Sequence, residues 1–161
     1  MKPNQAAAAP TTDDDAAPLQ LERFLPYRLA VLTNLVSSKL AAAYARQFNL
    51  TVAEWRIIAI VGRFPNTTAS EIAERGALDK VAVSRAIASL VATGRLVRVI
   101  DPADRRRARL AMSTAGYNVY RKIVPLARDY ERQLLATLAP EDLQALDRLL
   151  ESLTARVRQL P

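Results

Sequence analysis

The stretch TASEIAERGALDKVAVSRAIASLVATGRLVRVIDPADRRRARLAMSTAG, residues 68–116, decides the fold. Thr68 and Glu71 stand three apart, the spacing at which a threonine hydroxyl and a glutamate carboxylate cap a helix start reciprocally. A short helix is therefore predicted from Ala69 to about Arg75, with Gly76 permitting the turn that ends it. Asp79 caps a second helix that stops at Thr93-Gly94, and its apolar residues Val83, Ile87, Leu90 and Val91 share one face. At 100° per residue Arg85 lies about 200° from Val83, so it looks outward. Two short helices joined by a glycine-containing turn are the helix-turn-helix pattern, whose second helix enters the DNA major groove. Leu96–Ile100 and Ala108–Met112 then read as two strands, and their connection carries Arg105, Arg106 and Arg107 in a row. Three like charges side by side repel unless an anion lies nearby, so this hairpin is read as a wing with a cationic tip. Between Asp79 and Leu110 eight basic residues face three acidic ones, a local charge of +5 out of the chain's +7. Charge concentrated in this way is the footprint of a surface built for a phosphate backbone.

On either side of this stretch the pattern is helical. Residues 1–22 are rich in Ala, Pro and Thr and carry the acidic triplet Asp13-Asp14-Asp15, a composition that predicts a flexible tail. From Pro26 to Phe48 the residues Leu29, Leu32, Val36, Leu40, Tyr44 and Phe48 recur at spacings of three and four on one helical face. Thr51 and Glu54 make a further capping box before Trp55, Ile58 and Val61, and the helix they open is predicted to stop near Gly62, ahead of Pro65. Ser113 caps a fifth helix expected to run to about Leu138 and to kink at Pro125. A last helix begins at Pro140, with Glu141 and Asp142 complementing its dipole although Ala139 is a poor cap. Its residues Leu143, Leu146, Leu150, Leu153, Val157 and Leu160 follow heptad spacing. Tyr117, Tyr120, Val124 and Ala127, resuming at Leu134 and Leu138, give the fifth helix a similar seam. Both seams are most simply satisfied by a second copy of the chain.

Composition excludes several classes of function. The 161 residues make one domain by length, and half of them are apolar, so a core is available. Without cysteine there is no disulfide or thiolate chemistry. The lack of histidine removes the commonest general base and the commonest transition-metal ligand together, and no other catalytic constellation stands out. No catalytic residue, metal ligand or cofactor is expected, and the chain is read as a non-enzyme. No apolar run reaches the roughly 18 residues of a membrane span, and the first residues lack the pattern of a signal peptide, so a cytoplasmic protein with no membrane partner is expected.

Individual residues can be given roles on the DNA surface. Arg85 suits bidentate reading of guanine, Ser84 can serve a base or a phosphate, and the small apolar Val81 and Ala82 suit thymine methyls. Lys80, a point charge near the helix start, suits a phosphate. One of Arg105, Arg106 and Arg107 can enter a narrow minor groove, leaving the others for phosphates or for Asp104. The ordinary alternatives are a solvated helix face and a solubility patch, and their coincidence on one helix and one hairpin argues against both. Trp55 reads either as core packing where the first, second and fifth helices meet or as one wall of a ligand pocket. Thr33, Asn34, Ser37 and Ser38 form a polar stripe that suits such a pocket or close helix packing between two copies, while Arg56 and Arg63 offer partners for an anion.

The chain resembles the MarR family of bacterial transcription regulators from about residue 26 to 160. The resemblance is carried by Leu50-Thr-Val-Ala-Glu-Trp-Arg56, Asp79-Lys-Val-Ala-Val-Ser-Arg85, Gly94, Asp101-Pro-Ala-Asp-Arg-Arg106 and Leu110-Ala-Met-Ser-Thr-Ala-Gly116. It implies a mainly α fold with a small β-hairpin wing, a winged helix-turn-helix within a homodimer of intertwined terminal helices. Asp104 would orient the wing and Arg106 would reach the minor groove. The implied organisation is a dimerisation region of residues 23–48 and 117–160 around a DNA-binding lobe of residues 49–116. It further implies a regulator, read here as a repressor, that binds a pseudo-palindromic operator in double-stranded DNA. Relief would come from a small aromatic acid, phenol or aromatic CoA thioester at Asn34, Ser38, Trp55, Arg56 and Arg63. The alternatives are a ligand-independent activator and a non-specific architectural DNA-binding protein, the latter opposed by the weakly charged Val81, Ala82 and Ser84. Arg95 departs from the family pattern, which has an apolar residue there, and implies a shifted strand or a broadened DNA surface.

Overall fold

The computed structural model describes residues 18–100 and 108–161. Within them the order is α1 (Leu25–Phe48), α2 (Val52–Arg63), α3 (Ala69–Gly76), α4 (Lys80–Ala92), β1 (Leu96–Ile100), β2 (Ala108–Met112), α5 (Thr114–Leu135) and α6 (Pro140–Val157). This is the mainly helical winged helix-turn-helix expected from the sequence. The wing-tip residues Asp104, Arg105, Arg106 and Arg107, and the acidic triplet of the amino-terminal segment, lie outside the described residues.

All four predicted side-chain caps are hydrogen-bonded as their spacing requires, two of them as full capping boxes. Thr51 and Glu54 close one capping box and Thr68 and Glu71 another, with the hydroxyls accepting from the amides of Glu54 and Glu71. Asp79 accepts from Ala82 N at 2.8 Å and Ser113 Oγ from Gly116 N at 3.0 Å. Neither Asp79 nor Ser113 is followed at the third position by Glu or Gln, so neither cap is a reciprocal box, and Ser113 Oγ instead donates to Gly94 O at 2.6 Å. Each such cap stabilises its helix by about 1 kcal/mol. Ala139 offers no side-chain bond, and α6 starts instead on Pro140 with Glu141 and Asp142 in its first turn.

Two expectations change at helix ends. The left-handed residue after α3 is Ala77, at φ 47°, and not Gly76. Gly76 lies in the last helical turn, where a Cβ would come within 2.9 Å of Leu78 Cδ1 and 3.1 Å of Ile60 Cδ1, so what it supplies is room. Helix α5 continues through Pro125 and ends at Leu135, three residues short of Leu138.

The chain divides into two compact units within α1, after Val36. In the first, the described part of α1 exposes Leu25, Leu29, Leu32 and Leu35. In the second, the remainder of α1 buries Tyr44 and Phe48 and packs Leu40 on the core. The same core takes Trp55, Ile57, Ile58 and Val61 from α2, Ile72 from α3, Val83, Ala86, Ile87 and Leu90 from α4, Leu96, Leu110 and Met112 from the hairpin, and Ile123 from α5. Strands β1 and β2 pair antiparallel with Leu96 opposite Met112 and Val99 opposite Arg109. Thr67 adds one more rung, accepting from Leu110 N at 2.8 Å, and so ties the loop before α3 to the wing.

The seam of α5 splits. Tyr120, Val124 and Ala127 pack on the chain's own core, whereas Tyr117, Leu134 and Leu138 remain exposed. The expectation that a second copy takes the whole seam is therefore corrected, because the α2 and hairpin core already claims its first half. Helix α6 buries nothing, and Leu146, Leu150, Leu153, Val157 and Leu160 are all exposed.

Two glycines differ instructively. A Cβ on Gly116 would fall 2.1 Å from Arg95 O and 2.7 Å from Met112 Cγ, so the start of α5 rests directly on the hairpin backbone. Gly94 has open space around it but a φ of +67°. Gly116→Ala should cost about 3 kcal/mol through overpacking, and Gly94→Ala about 1–2 kcal/mol through backbone conformation alone. Urea midpoints measure both, and an equal or larger loss at Gly94 would contradict the packing assigned to Gly116.

Candidate DNA interface and effector site

Helix α4 is a divided surface. Val83, Ala86, Ile87 and Leu90 are buried, which turns Lys80, Val81, Ala82, Ser84 and Arg85 to solvent. Val81 is 55 % exposed, an apolar side chain held outward on the first turn. Since the α4 amino terminus carries the positive end of the helix dipole, an approaching phosphate meets that field together with the Lys80 charge. The outward group predicted from spacing is thus brought to one face by burial of the other. Beside it, Arg98 on β1 is exposed, and Arg109 on β2 donates to Asn66 O at 3.1 Å.

Arg95 neither shifts the strand nor broadens the DNA surface. Strand β1 begins at Leu96, and the Arg95 guanidinium turns back to donate to the carbonyls of Phe48 and, at 3.3 Å, of Asn49. A cation at the carboxyl end of α1 meets the negative end of that helix dipole and satisfies carbonyls that the helix leaves open.

The first turn of α2 faces three neighbours with three successive residues. Trp55 meets Tyr44 of α1 at a tilt, with ring centroids 5.7 Å apart, and stacks on Tyr120 of α5, 6.3 Å away. This is the meeting of the first, second and fifth helices expected from sequence. Tyr120 can approach because Gly62 has no side chain, and a Cβ there would lie 2.8 Å from the Tyr120 ring. Arg56 is half-buried and donates to Ser37 Oγ at 2.9 Å. Burial pushes the Tyr44 hydroxyl above its ordinary pKa, and the Arg56 charge opposes that rise. Trp55, Arg56 and Ser37 are therefore brought together, an aromatic wall beside a cation and a hydroxyl. Ser38 is exposed on α1, and Asn34 is exposed in the first unit. Arg63 is not part of this cluster: it lies at the far end of α2, its guanidinium 5.1 Å from the centroid of the exposed Phe64 ring, which Arg75 also covers at 4.2 Å.

Glu54, the residue before Trp55, points the other way. It is 7 % exposed, and Ser89 Oγ of α4 donates to its Oε1 at 2.5 Å. Burial alone would raise its pKa, but the bonds from Ser89 and Thr51, with the nearby Arg95 charge, outweigh this and hold the carboxyl below the ordinary value. The capping box was legible in sequence, whereas the bond to Ser89 carried no signal there, because its partners are 35 residues apart.

A model of the MarR family matches residues 48–107, the segment that runs from the end of α1 to the residue before β2. Over these residues the chain is similar to the MarR family of regulators. A curated relative is the homoprotocatechuate degradative operon repressor of Escherichia coli, 24% identical over 110 residues, which are 68% of this chain and 74% of the relative. Among solved structures, a MarR/EmrR family transcriptional regulator from Acinetobacter sp. ADP1 superposes with a TM-score of 0.82 at 25% identity, covering 88% of this chain and 100% of that one. BpsR of Bordetella bronchiseptica, whose DNA binding is regulated by 6-hydroxynicotinic acid, superposes with a TM-score of 0.75 at 20% identity, covering 86% and 98%. The proteins it resembles are transcription regulators. Among the described residues no helix is long and apolar enough to cross a membrane.

The Glu71 carboxyl is also held below its ordinary value of 4.5, chiefly by the bonds from the Thr68 amide and the Thr67 hydroxyl. A depressed folded-state pKa contributes stability that is complete above the unfolded value and is lost as pH falls through the folded one. Thermal stability should therefore drop as the solution is acidified below about pH 4.5, and less in Glu71→Gln, which can still close the box. Melting temperatures at about pH 6 and pH 3 compare the two, and parallel losses would remove Glu71 from the acid sensitivity.

Proposed function

We propose that this protein is a homodimeric repressor of nearby genes that reads a pseudo-palindromic operator and is released from it by a small aromatic acid, phenol or aromatic CoA thioester. The observation that carries the reading is the division of α4, with Val83, Ala86, Ile87 and Leu90 inward and Lys80, Val81, Ala82, Ser84 and Arg85 outward. In this reading Arg85 addresses a guanine edge, Val81 and Ala82 thymine methyls, Ser84 a base or phosphate, and Lys80 a phosphate. Asp104 orients the wing, while Arg105, Arg106 and Arg107 supply its charge. The lobe of residues 49–116 carries these groups.

Dimerisation is supported by the apolar faces that the described residues leave uncovered on α6 and, separately, on the first half of α1. Heptad spacing from Leu143 and Leu146 through Leu150, Leu153, Val157 and Leu160 fits a helix from a second copy. A dimer also places two recognition helices for half-sites about one turn, roughly 34 Å, apart. An effector site at Trp55, Arg56 and Ser37, with Asn34, Ser38 and Arg63 as further candidates, is supported by the aromatic wall beside a cation. Regulation of BpsR by 6-hydroxynicotinic acid supports the same ligand class. Release requires that the ligand bind the state with wrongly spaced helices better than the DNA-bound one.

Footprinting on the promoter beside the protein's own gene, with and without aromatic acids or their CoA thioesters, tests the whole reading. Protection that vanishes with one ligand is expected, and no protection at any concentration would sink it. Arg85→Ala should cost about 1–3 kcal/mol of specific binding and relax preference at one base pair per half-site. If every operator variant weakens equally in quantitative gel-shift assays, Arg85 is a phosphate contact instead. Leu150→Asp should break the dimer, because an unpaired charge in an apolar seam costs several kcal/mol. Sedimentation gives the oligomeric state, and a folded monomer with undiminished operator affinity would rule the arrangement out.

A further inference from the structure

The buried carboxylate of Glu54 does more than a helix cap requires. A capping box needs one oxygen, and here Oε2 alone accepts from Thr51 N at 2.7 Å and Thr51 Oγ1 at 3.0 Å. The other oxygen, Oε1, accepts from Ser89 on the penultimate turn of α4. Arg95, whose charge acts on Glu54, follows the end of α4: its amide donates to Leu90 O at 2.8 Å while its guanidinium holds the last carbonyls of α1. Glu54 thus bonds the first turn of α2 to the second half of α4, and Arg95 separately bonds the end of α4 to the end of α1.

We propose that Glu54, Ser89 and Arg95 form a clamp that sets the rotation of the recognition helix α4 on α2, with Glu54 as the positioning residue. The inference rests on the reading of α4 as the helix that addresses bases. Apolar contacts through Val83, Ala86, Ile87 and Leu90 hold α4 down, but they are non-directional and tolerate small rotations. A short hydrogen bond to a carboxylate is directional. Ser89 stands four residues after Arg85, only about 40° away around the helix, so any rotation that displaces Ser89 displaces Arg85 with it. A rotation of about 10° at a radius of about 6 Å moves a side chain by about 1 Å, enough to spoil a bidentate contact. Glu54, Trp55 and Arg56 are consecutive, so a ligand that shifts the Trp55 and Arg56 side of α2 moves the anchor of the clamp as well.

The decisive variant is Ser89→Ala, which removes the donor from an exposed helical position where alanine is the better helix former. In the DNA-free full-length protein its melting temperature should fall by several degrees, because the buried Glu54 Oε1 loses its donor, while hydrogen exchange of the α4 amides should quicken about five-fold more than that of the α5 amides. Affinity for the footprinted duplex should fall about five- to twenty-fold, with an unchanged salt slope because no phosphate contact is lost. Glu54→Ala should give the same α4 exchange rates, and the double variant should lose no more affinity than the weaker single, since both act through one bond. Glu54→Gln, which can still bond Thr51 and Ser89, should restore near wild-type affinity. Wild-type exchange in Ser89→Ala, unchanged operator affinity, or losses that multiply in the double variant would each overturn the clamp. If wild type itself protects no duplex, base reading by α4 fails, and the exchange rates alone then confirm or refute the hold of Glu54 on the helix.

Discussion

The core of the second unit is arranged around the burial of α2. Ile57, Ile58 and Val61 are within 1 % of complete burial, and the helix meets α3, α4, α5 and the hairpin at once. A helix surrounded in this way cannot carry a solvated polar face, so the polar residues it keeps must find partners inside the protein. Glu54 and Arg56 do so, one with Ser89 and the other with Ser37. The helix that carries no DNA contact in the proposed reading is therefore the frame on which α4 and the wing are set. The wing depends on it through Leu96, Leu110 and Met112, which fill the same core, and through Thr67, which joins β2 to the loop after α2.

The outward charge of α4 and the hairpin is a consequence of that frame. With one face of α4 consumed by the core, its remaining positions are free to be chosen for a partner. They hold two cations among small side chains, without an acid after the cap Asp79. A face of cations alone would bind any phosphate backbone, whereas Val81, Ala82 and Ser84 add nothing to that attraction and suit contact with base edges. The composition of the face thus favours sequence reading over simple coating of DNA.

What could be read in the sequence was local. Both capping boxes, the caps Asp79 and Ser113, the strand limits and the inward face of α4 follow from spacings of two to four residues, and the structure has them. The turn after α3 was misread because glycine is the usual left-handed residue, whereas here Ala77 takes that conformation and Gly76 yields space to Ile60 and Leu78. Arg95, read as the mark of a shifted strand or a broadened DNA surface, was not legible because its partners are the carbonyls of Phe48 and Asn49, more than 40 residues away. The α5 seam looked uniform because heptad spacing records which residues are apolar and not which neighbour covers them. Of the candidate site, the outward face of α4 was legible and the Glu54–Ser89 bond was not.

The uncovered apolar surface sets the terms on which such a chain can be stable. An 18-residue helix with no buried residue draws little from packing within its own chain, and isolated helices not much shorter than this are marginal in water. Leu146, Leu149, Leu150, Leu153 and Val157 are each at least 38 % exposed on α6, a density of large apolar groups that solvent alone does not sustain. In the proposed dimer the order of α6 comes from the second copy. Folding of the terminal helices and assembly of a two-site DNA reader would then be one equilibrium, governed by protomer concentration as well as sequence.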